Sequence, residues 1–352
     1  MIATPSAAAS TGAVRSRDPL WDNLRLLAIS LVVVGHTIES ASRYDLAYAL
    51  YLFVYAFHMP LFAFISGYFA RAEPITGADG QRIISQLLAP YVIFSVLWAL
   101  IRWWQEGKLT FDLTSPYWHL WFLPALAAWR LALPLMANLQ LPVVVAVAVA
   151  CISGYFAIGW LFDASRVLGM LPFFVAGWAM RSRPSLASVL PFLRRGWVRA
   201  TSLGVLLVAL VCCVLGVSFA REHHLREWVQ VEKNYATIGV QGWAAGGTRL
   251  LLIGIALLLV VAIVSVTSAS TTSVTGWGRA TMYVYMLHLL PIYFLLQAGY
   301  LDDVKSPVVL LALVLGALLL TAVLSTSVVS ATFRVLVEPS VGWLFRRSPE
   351  RP

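Results

Sequence analysis

Long apolar runs constrain this chain more than any other feature of its sequence. Segments of about 20 residues with few charges recur along its whole length, and each could cross a hydrocarbon core of roughly 30 Å as a helix. Hydrophobic residues make up 60% of the 352 positions and charged residues only 12%. A soluble protein carries roughly 25% charge. The sequence therefore predicts an all-α membrane protein that crosses the bilayer many times.

Hydropathy delimits about ten spans, and the arginines indicate their direction. With ten spans both termini lie on one side, and most arginines fall on that side, whereas Glu106, Asp112 and Glu227 fall on the other. The positive-inside rule makes the arginine-rich side cytoplasmic. The longest external segment, residues 220–247, could lie on the membrane surface or cap a cavity. The predicted spans are residues 20–40, 46–70, 83–104, 117–136, 141–161, 167–181, 198–219, 248–268, 279–299 and 307–330.

One transmembrane domain, residues 20–333, is predicted between two short tails. Residues 1–19 lack the apolar core of a signal peptide and are predicted to form a disordered cytoplasmic tail, and residues 334–352 a basic cytoplasmic tail. The net charge of +9 follows from the cytoplasmic arginines, so the predicted partner is the lipid bilayer and not a nucleic acid. The expected location is a bacterial inner membrane, and the sequence indicates no oligomeric state.

The cysteines carry no predicted chemistry. Cys151, Cys212 and Cys213 all lie in apolar runs and lack the spacing of metal ligands. Neither a metal site, a disulfide nor a thiol nucleophile is predicted.

Ionisable residues inside apolar runs are costly, and the first predicted span contains the most of them. In WDNLRLLAISLVVVGHTIES, Arg25 and His36 are eleven positions apart. Eleven steps of 100° return to within about 20° of the starting direction, so both side chains share one helix face, roughly 16 Å apart along the axis. Asp22 and Glu39 lie near the same stripe. Either residue alone could snorkel or bond a neighbouring helix, but the pair with a carboxylate at each end favours a functional site.

Two more histidines lie deep in apolar runs. His58 belongs to FHMPLFAFISGYFAR, in which Pro60 should kink the helix and Gly67 should permit close helix approach. His288, in GRATMYVYMLHLLPIY, is about nine residues into its span. Each could belong to a site or merely hydrogen-bond a neighbouring helix.

Charged residues at the ends of spans have simpler explanations. His119 lies among the tryptophans of SPYWHLWFLP, which the aromatic belt of a membrane protein explains. Arg166 lies beside Asp163, and an ion pair at the boundary would account for both. Arg130 and Arg249 look like anchors that snorkel toward the interface.

Six segments of the chain form an ordered pattern between residues 22 and 288. They are DNLRLLAISLVVVGH, FHMPLFAFISGYF, QRIISQLLAPYVIF, HLWFLPALAAWR, SRVLGMLPFFVAGW and GRATMYVYMLH. The pattern resembles the acyltransferase 3 family, particularly its fucose 4-O-acetylase-like branch. The resemblance implies about ten helices and an acyl-coenzyme A donor, expected to be acetyl-coenzyme A, taken from the cytoplasm. It also implies acyl transfer to a hydroxyl of a sugar, a cell-surface glycan or a glycosylated metabolite.

The resemblance also implies roles for individual residues. The family pairs an arginine and a histidine eleven positions apart in its first helix, so Arg25 is expected in donor handling or site structure and His36 as the catalytic histidine. His58, Arg166 and His288 match polar positions of later segments. The residues expected to bind the acceptor are His58, His119, Arg166 and His288, and those expected to bind acyl-coenzyme A are Arg25 and Arg82.

Transfer of an acyl group from a thioester to a hydroxyl needs a base, and histidine titrates near the working pH. The hypothesis is that His36 activates the hydroxyl or transiently carries the acyl group, and that Glu39 orients its ring. His58 and Arg166 could orient the acceptor or stabilise the oxyanion.

A transporter is the competing interpretation. Buried histidines and arginines, proline-kinked helices and a basic cytoplasmic face also suit a proton-coupled permease or a lipid-linked sugar flippase. The absence of a visible inverted repeat in the sequence weighs against it, and the face shared by Arg25 and His36 favours an enzyme.

Overall fold

A computed structural model of the protein describes residues 18–107, 109–186, 188–301 and 304–345. These ranges contain helices and no strands, with 75% of residues helical, which confirms the all-α class. Short 3-10 turns occur as well, and a π-helical turn, Ile84–Leu88, joins α4 to α5. The helices are α1 (Pro19–Ile38), α2 (Asp45–Tyr55), α3 (His58–Tyr68), α4 (Gly77–Ile83), α5 (Ala89–Glu106), α6 (Phe122–Ala137), α7 (Pro142–Ser153), α8 (Ala164–Ser182), α9 (Val189–Leu193), α10 (Gly196–Leu215), α11 (Val217–Glu222), α12 (Leu225–Gln230), α13 (Tyr235–Ile238), α14 (Trp243–Val266), α15 (Thr281–Leu287), α16 (Leu289–Gln297), α17 (Pro307–Leu324) and α18 (Ser327–Val337).

Five helical segments of the described chain are long and apolar enough to cross a membrane. Helix α1 has 20 residues, but it carries Asp22 and Arg25, and α6, α7 and the α15–α16 pair are apolar but shorter. The count of ten spans and the side of each terminus therefore stay predictions. The five segments are Asp45–Tyr68, Gly77–Glu106, Gly196–Leu215, Trp243–Val266 and Pro307–Leu324.

Most of each predicted tail lies outside the part of the chain that the structure describes. Residues 1–17 and 346–352 are not described. At the other boundary, α18 continues to Val337, so the predicted start of the basic tail at residue 334 falls inside a helix.

Helix α1 occupies the middle of the bundle. Its first turn is set by Asp18, whose carboxylate accepts from the Leu20 backbone N–H at 3.0 Å, with Pro19 at the first helical position. Leu24, Ala28 and Ile29 are completely buried, and the helix contacts α2, α3, α15, α16 and α17. The polar side chains of α1 are therefore held inside the protein, away from lipid.

Pro60 breaks the second predicted span, as the sequence indicates. Helix α2 ends at Tyr55, and α3 starts at His58, so the break lies in the two residues between them. Proline lacks the N–H for a helical hydrogen bond and its ring clashes with the carbonyl four residues earlier, so it is tolerated in the first turn of α3 but not in a continuous helix. The break places His58 at the start of a helix, in the interior.

The closest helix packing is that of α3 against α8. A Cβ atom added at Gly67 would lie 1.8 Å from the carbonyl oxygen of Phe174, and one added at Gly177 would lie 2.0 Å from the carbonyl oxygen of Phe64. The two glycines therefore let the backbones touch, as small residues do at interfaces between membrane helices. This contact fixes His58 of α3 relative to Arg166 of α8.

Substitution of Gly67 by alanine should loosen this interface. The new Cβ would meet a backbone carbonyl that cannot rotate away, and overpacking of this kind costs roughly 1–3 kcal/mol. We expect Gly67→Ala to lower the thermal unfolding midpoint of the detergent-purified protein by several degrees. Gly254→Ala is the matched control, because a Cβ on that helical glycine meets no atom within 4 Å. Equal midpoints for the two variants would contradict the packing described.

Candidate active site

The last turn of α1 carries a histidine–carboxylate pair. Nδ1 of His36 lies 3.4 Å from Oε2 of Glu39, and the Tyr55 hydroxyl donates to the same carboxylate oxygen at 3.2 Å. A proton on Nδ1 directed at a carboxylate leaves the Nε2 lone pair available as a base. In the described residues Nε2 has no hydrogen-bond partner, so the ring has the arrangement of a general base with an orienting acid.

Glu39 is held in turn by a helix far away in the sequence. Nη2 of Arg226 donates to Oε1 of Glu39 at 3.0 Å, and Nε2 of Gln230 approaches the same oxygen at 3.4 Å. Gln230 also donates to the Tyr51 hydroxyl at 2.8 Å. Helix α12 therefore lies over the end of α1. This part of residues 220–247 caps a cavity, which is one of the two positions that the sequence allowed for the segment.

Arg226 and Gln230 were not predicted as site residues. Their only signal in the sequence is a spacing of four, which puts both on one face of a helix. That spacing is common on solvated helices, so it could not distinguish these residues without knowledge of what α12 packs against.

Two further histidines surround the His36 ring. The ring centroids of His36 and His288 are 5.4 Å apart, and those of His288 and His119 are 5.2 Å apart. Nδ1 of His288 donates to the backbone oxygens of Val284 and Tyr285 at 3.0 and 2.8 Å. Its Nε2 atom and both ring nitrogens of His119 are buried without a hydrogen-bond partner in the described structure. Such groups are rare in folded proteins, and a functional role is one explanation for them.

A cavity of about 580 Å³ opens beside this cluster. Five of the predicted site residues line it, and together they offer imidazole, carboxylate and guanidinium groups. They are His36, Glu39, His58, His119 and Arg166. His288 stands behind His36 and is completely buried.

His58 and Arg166 line the cavity from the two helices that form the close contact, His58 from α3 and Arg166 from α8. Nδ1 of His58 donates to the Val54 carbonyl at 2.9 Å, in the helix break before Pro60. Its ring centroid lies 4.6 Å from that of Tyr55, the tyrosine that binds Glu39. His58 is therefore fixed in orientation by the backbone.

Arg166 is clamped by two carboxylates. Its guanidinium lies 2.6 Å from Asp163 and 3.0 Å from Glu232, and Nε donates to the Gln230 carbonyl at 3.1 Å. Burial raises the pKa of the Asp163 carboxyl, and the Arg166 guanidinium opposes that change. The predicted pair of Arg166 with Asp163 is present, and it has a structural use as well: it ties α8 to the segment after α12.

A second cavity, of about 900 Å³, extends toward the N-terminal half of α1. Val32, Met59 and Tyr285 line both this cavity and the one at His36, so the two adjoin. Arg25 and Arg130 line it. Arg25 binds Asp22 at 3.0 Å and its guanidinium lies 4.4 Å from the centre of the Phe69 ring. Arg130, predicted to snorkel, thus joins Arg25 as a second cation of an interior cavity.

A third cavity, of about 790 Å³, lies beyond the C-terminal end of α1. Ser40, Arg43 and Arg226 line it, and it shares three residues with the cavity at His36. The shared residues are His36, Glu39 and Trp118. These three therefore stand between the cavity at His36, which adjoins the cavity with Arg25, and the cavity with Arg226.

Trp118 has a different position from the aromatic belt that the sequence indicates. Its ring lies edge-on to His36 with centroids 5.7 Å apart. Its φ of 47° lies in the left-handed region, which bulky residues rarely adopt and which tends to occur at functional sites. The sequence could not show this, because neither a backbone angle nor a cross-chain contact follows from a cluster of tryptophans.

Arg82 lies apart from the other predicted site residues. Its side chain is 62% exposed and pairs with Asp79 at 3.4 Å in the first turns after Thr76. It lines none of the three cavities around α1. Its role in donor binding stays a prediction.

The fold and the site define a class: an α-helical membrane protein with a histidine–carboxylate pair between interior cavities. A family model described as an acyltransferase domain, that of the acyltransferase 3 family, matches residues 19–326. The chain belongs to the acyltransferase 3 family. Its membership supports acyltransferase activity in a membrane protein. No curated protein and no solved structure shows a significant match to the chain.

Replacement of Trp118 by alanine should join the cavities on its two sides. We expect His36 in Trp118→Ala to react several-fold faster with diethylpyrocarbonate, because the indole that lies against its ring is gone. Mass spectrometry of the peptide that contains His36 measures the rate. Trp104→Ala, which removes a 77% exposed indole, should leave the rate unchanged. A rate that does not respond to Trp118→Ala would show that Trp118 does not separate the cavities.

Proposed function

We propose that this protein transfers an acyl group, expected to be acetyl, from cytoplasmic acyl-coenzyme A to a hydroxyl of a sugar, cell-surface glycan or glycosylated metabolite. The observation that carries the proposal is the His36–Glu39 pair, which lines a cavity that adjoins two others. One cavity contains the cations Arg25 and Arg130, and the other lies beyond the opposite end of the same helix. Family membership supports an acyltransferase, and the geometry supports His36 as its base.

The cavity with Arg25 and Arg130 suits the donor. Coenzyme A carries several phosphates, and guanidinium groups bind phosphate through paired, charge-assisted hydrogen bonds. Arg25 and His36 lie eleven residues apart on one continuous helix, roughly 16 Å along its axis. The extended pantetheine arm is about as long, so phosphates near Arg25 would allow the thioester to reach His36.

The cavity with Arg226 suits the acceptor. Ser40 and Arg43 offer hydrogen bonds to hydroxyl groups there, and Trp118 offers an aromatic face of the kind that sugars stack on. An acceptor entering from this side would present a hydroxyl to Nε2 of His36. Donor and acceptor would then meet at the His36 ring, which lines both the acceptor cavity and the cavity that adjoins the donor cavity.

The reaction is a direct acyl transfer with a single base. Nε2 of His36 takes the proton of the acceptor hydroxyl while its oxygen bonds to the thioester carbon, and Glu39 stabilises the imidazolium. Arg166 lines the same cavity and would stabilise the oxyanion, and Nε2 of His58, whose Nδ1 holds the proton, would accept a hydrogen bond that orients the acceptor. Collapse of the intermediate breaks the carbon–sulfur bond, and the imidazolium returns the proton to the leaving thiolate. The products are an ester and free coenzyme A.

The same proposal includes the orientation of the chain. Ten spans would put both termini on the cytoplasmic side of a bacterial inner membrane, where the arginines between spans are concentrated. In that orientation the start of α1, with Arg25, faces the cytoplasm that supplies acyl-coenzyme A. The end of α1, with His36 and α12, faces the outer side.

His36→Gln should abolish activity, because glutamine keeps the size and polarity of the side chain but cannot act as a base. We expect a loss of about 10²–10⁴-fold in the transfer of radiolabel from acetyl-coenzyme A into the glycan and lipid of isolated membranes. His223→Gln, at an exposed histidine, is the control. Retained labelling at normal expression would remove His36 from the mechanism. A wild-type protein that moves a sugar across vesicles without forming an ester would favour the permease or flippase.

Glu39→Gln tests the orienting carboxylate separately. The amide can still hydrogen-bond Nδ1 of His36 but cannot stabilise an imidazolium, so the labelling rate should fall by roughly 10²-fold. Its effect should be on the maximal rate, with the KM for acetyl-coenzyme A little changed. Asp45→Asn serves as the control, since Asp45 pairs only with Arg221 outside the cavities. An unchanged maximal rate would contradict the role of Glu39.

Arg130→Gln tests the donor cavity. Loss of one charge-assisted hydrogen bond to a phosphate should raise the KM for acetyl-coenzyme A about tenfold and leave the maximal rate within a small factor. Arg102→Gln is the matched control, because Arg102 lies outside this cavity and is bound to Glu106. If Arg130→Gln instead lowered the maximal rate at an unchanged KM, coenzyme A would not occupy this cavity.

A further inference from the structure

Arg249 is a buried cation that the mechanism above does not use. It lies in the second turn of α14, is only 4% exposed, and contrasts with the interfacial anchor that the sequence predicts. Nη1 donates to the Trp228 carbonyl at 3.1 Å, and the guanidinium lies 5.3 Å from the Trp228 ring and 5.8 Å from the Tyr235 ring. No salt bridge joins it to a carboxylate of the described residues, and its Nε has no hydrogen-bond partner among them.

An arginine cannot escape burial by losing its proton, because its pKa is too high. A buried charge is normally balanced by an opposite charge with hydrogen bonds, and an ionisable group inside a membrane protein marks a functional site by default. The aromatic rings around Arg249, the Tyr235 hydroxyl and one backbone oxygen supply only part of that balance.

A separate cavity of about 420 Å³ lies at this guanidinium. Apart from Arg249 its walls are almost entirely apolar, with Pro60, Phe173 and Ala256 among them. At its edge stands Ile255, which is 41% exposed. Leu251 and Leu258 on the same helix are exposed as well, so this side of α14 faces lipid. The cavity combines one buried cation with an apolar space at a lipid-facing helix.

We propose that this cavity binds an anionic lipid, with its phosphate on Arg249 and part of an apolar chain along α3, α8 and α14. Phosphate oxygens would accept the hydrogen bond that Nε now lacks. A free phosphate would leave the apolar walls unused, and a neutral lipid would leave the cation unbalanced. Tyr55, Met170 and Val229 also line the cavity at His36, so the bound lipid lies beside the site.

Native mass spectrometry of the full-length protein in neutral detergent tests this without any need for turnover. The probes are phosphatidic acid, phosphatidylcholine with the same chains, and glycerol 3-phosphate. We expect wild type to prefer phosphatidic acid over phosphatidylcholine by about tenfold or more, the value of one charge-assisted contact. Arg249→Met should lose that preference and Arg249→Lys should keep most of it. An equal preference in Arg249→Met would overturn the proposal.

A second pair of variants tests the cavity without touching the charge. Ala256 lies seven residues after Arg249, on the same face of α14, so Ala256→Phe should fill the space and weaken phosphatidic acid binding about tenfold or more. Leu251→Phe, on the exposed side, should bind as wild type does. Undiminished binding by Ala256→Phe would place the lipid elsewhere. Competition by glycerol 3-phosphate as strong as that by phosphatidic acid would also overturn the proposal, in favour of free phosphate.

These outcomes are independent of the acyl transfer. A protein in which His36→Gln retains activity could still show lipid binding that depends on Arg249, and an active enzyme could show none. Because Arg249→Lys and Ala256→Phe keep the charge, they remain informative if Arg249→Met does not fold.

Discussion

The burial of charged and hydrogen-bonding groups on one apolar helix is the constraint on which the rest of the site depends. A helix inside a membrane bundle can carry an arginine and a histidine only if partners compensate for the lost water. Helix α1 meets this condition at both ends, with Asp22 bound to Arg25 and Glu39 beside His36. Each carboxylate lies three residues from the basic side chain that it binds, so both pairs form within the same stretch of helix.

The His36–Glu39 pair is completed by residues from elsewhere in the chain. Arg226 and Tyr55 bind Glu39, so α2 and α12 must both be in place before the carboxylate is fixed. In the same way, Arg166 joins α8 to Glu232. Helix α12 is therefore part of the site, and a change that moves it would disturb the His36–Glu39 pair without touching either residue.

For the first two helical segments, the sequence predicted much of what the structure shows. A period of 3.6 residues placed Arg25 and His36 on one face, and the restrictions on proline located the break before His58. Small residues indicated the close approach at Gly67. Each of these features depends on residues close together in the chain, so they could be predicted from the sequence alone.

Contacts between segments far apart in the chain could not be predicted from periodicity or from proline and glycine positions. Arg130 and Arg249 both looked like anchors near the ends of spans, and each lines a cavity of the bundle. Whether a long basic side chain reaches the interface or turns inward depends on which face of its helix meets a neighbour, and hydropathy does not reveal this. Arg226 and Trp118 could not be recognised as site residues for a similar reason. Until their partners are known, a surface helix accounts equally well for Arg226 and an aromatic belt for Trp118.

We propose that His36 stands where a donor from one side of the membrane meets an acceptor from the other. Sealed membrane vesicles of both orientations, given radiolabelled acetyl-coenzyme A on the outside only, test it most directly. We expect ester formation in inverted vesicles, whose cytoplasmic face is exposed, and none in right-side-out vesicles until they are made permeable. Equal labelling of both intact preparations would show that the donor does not enter from the cytoplasmic side.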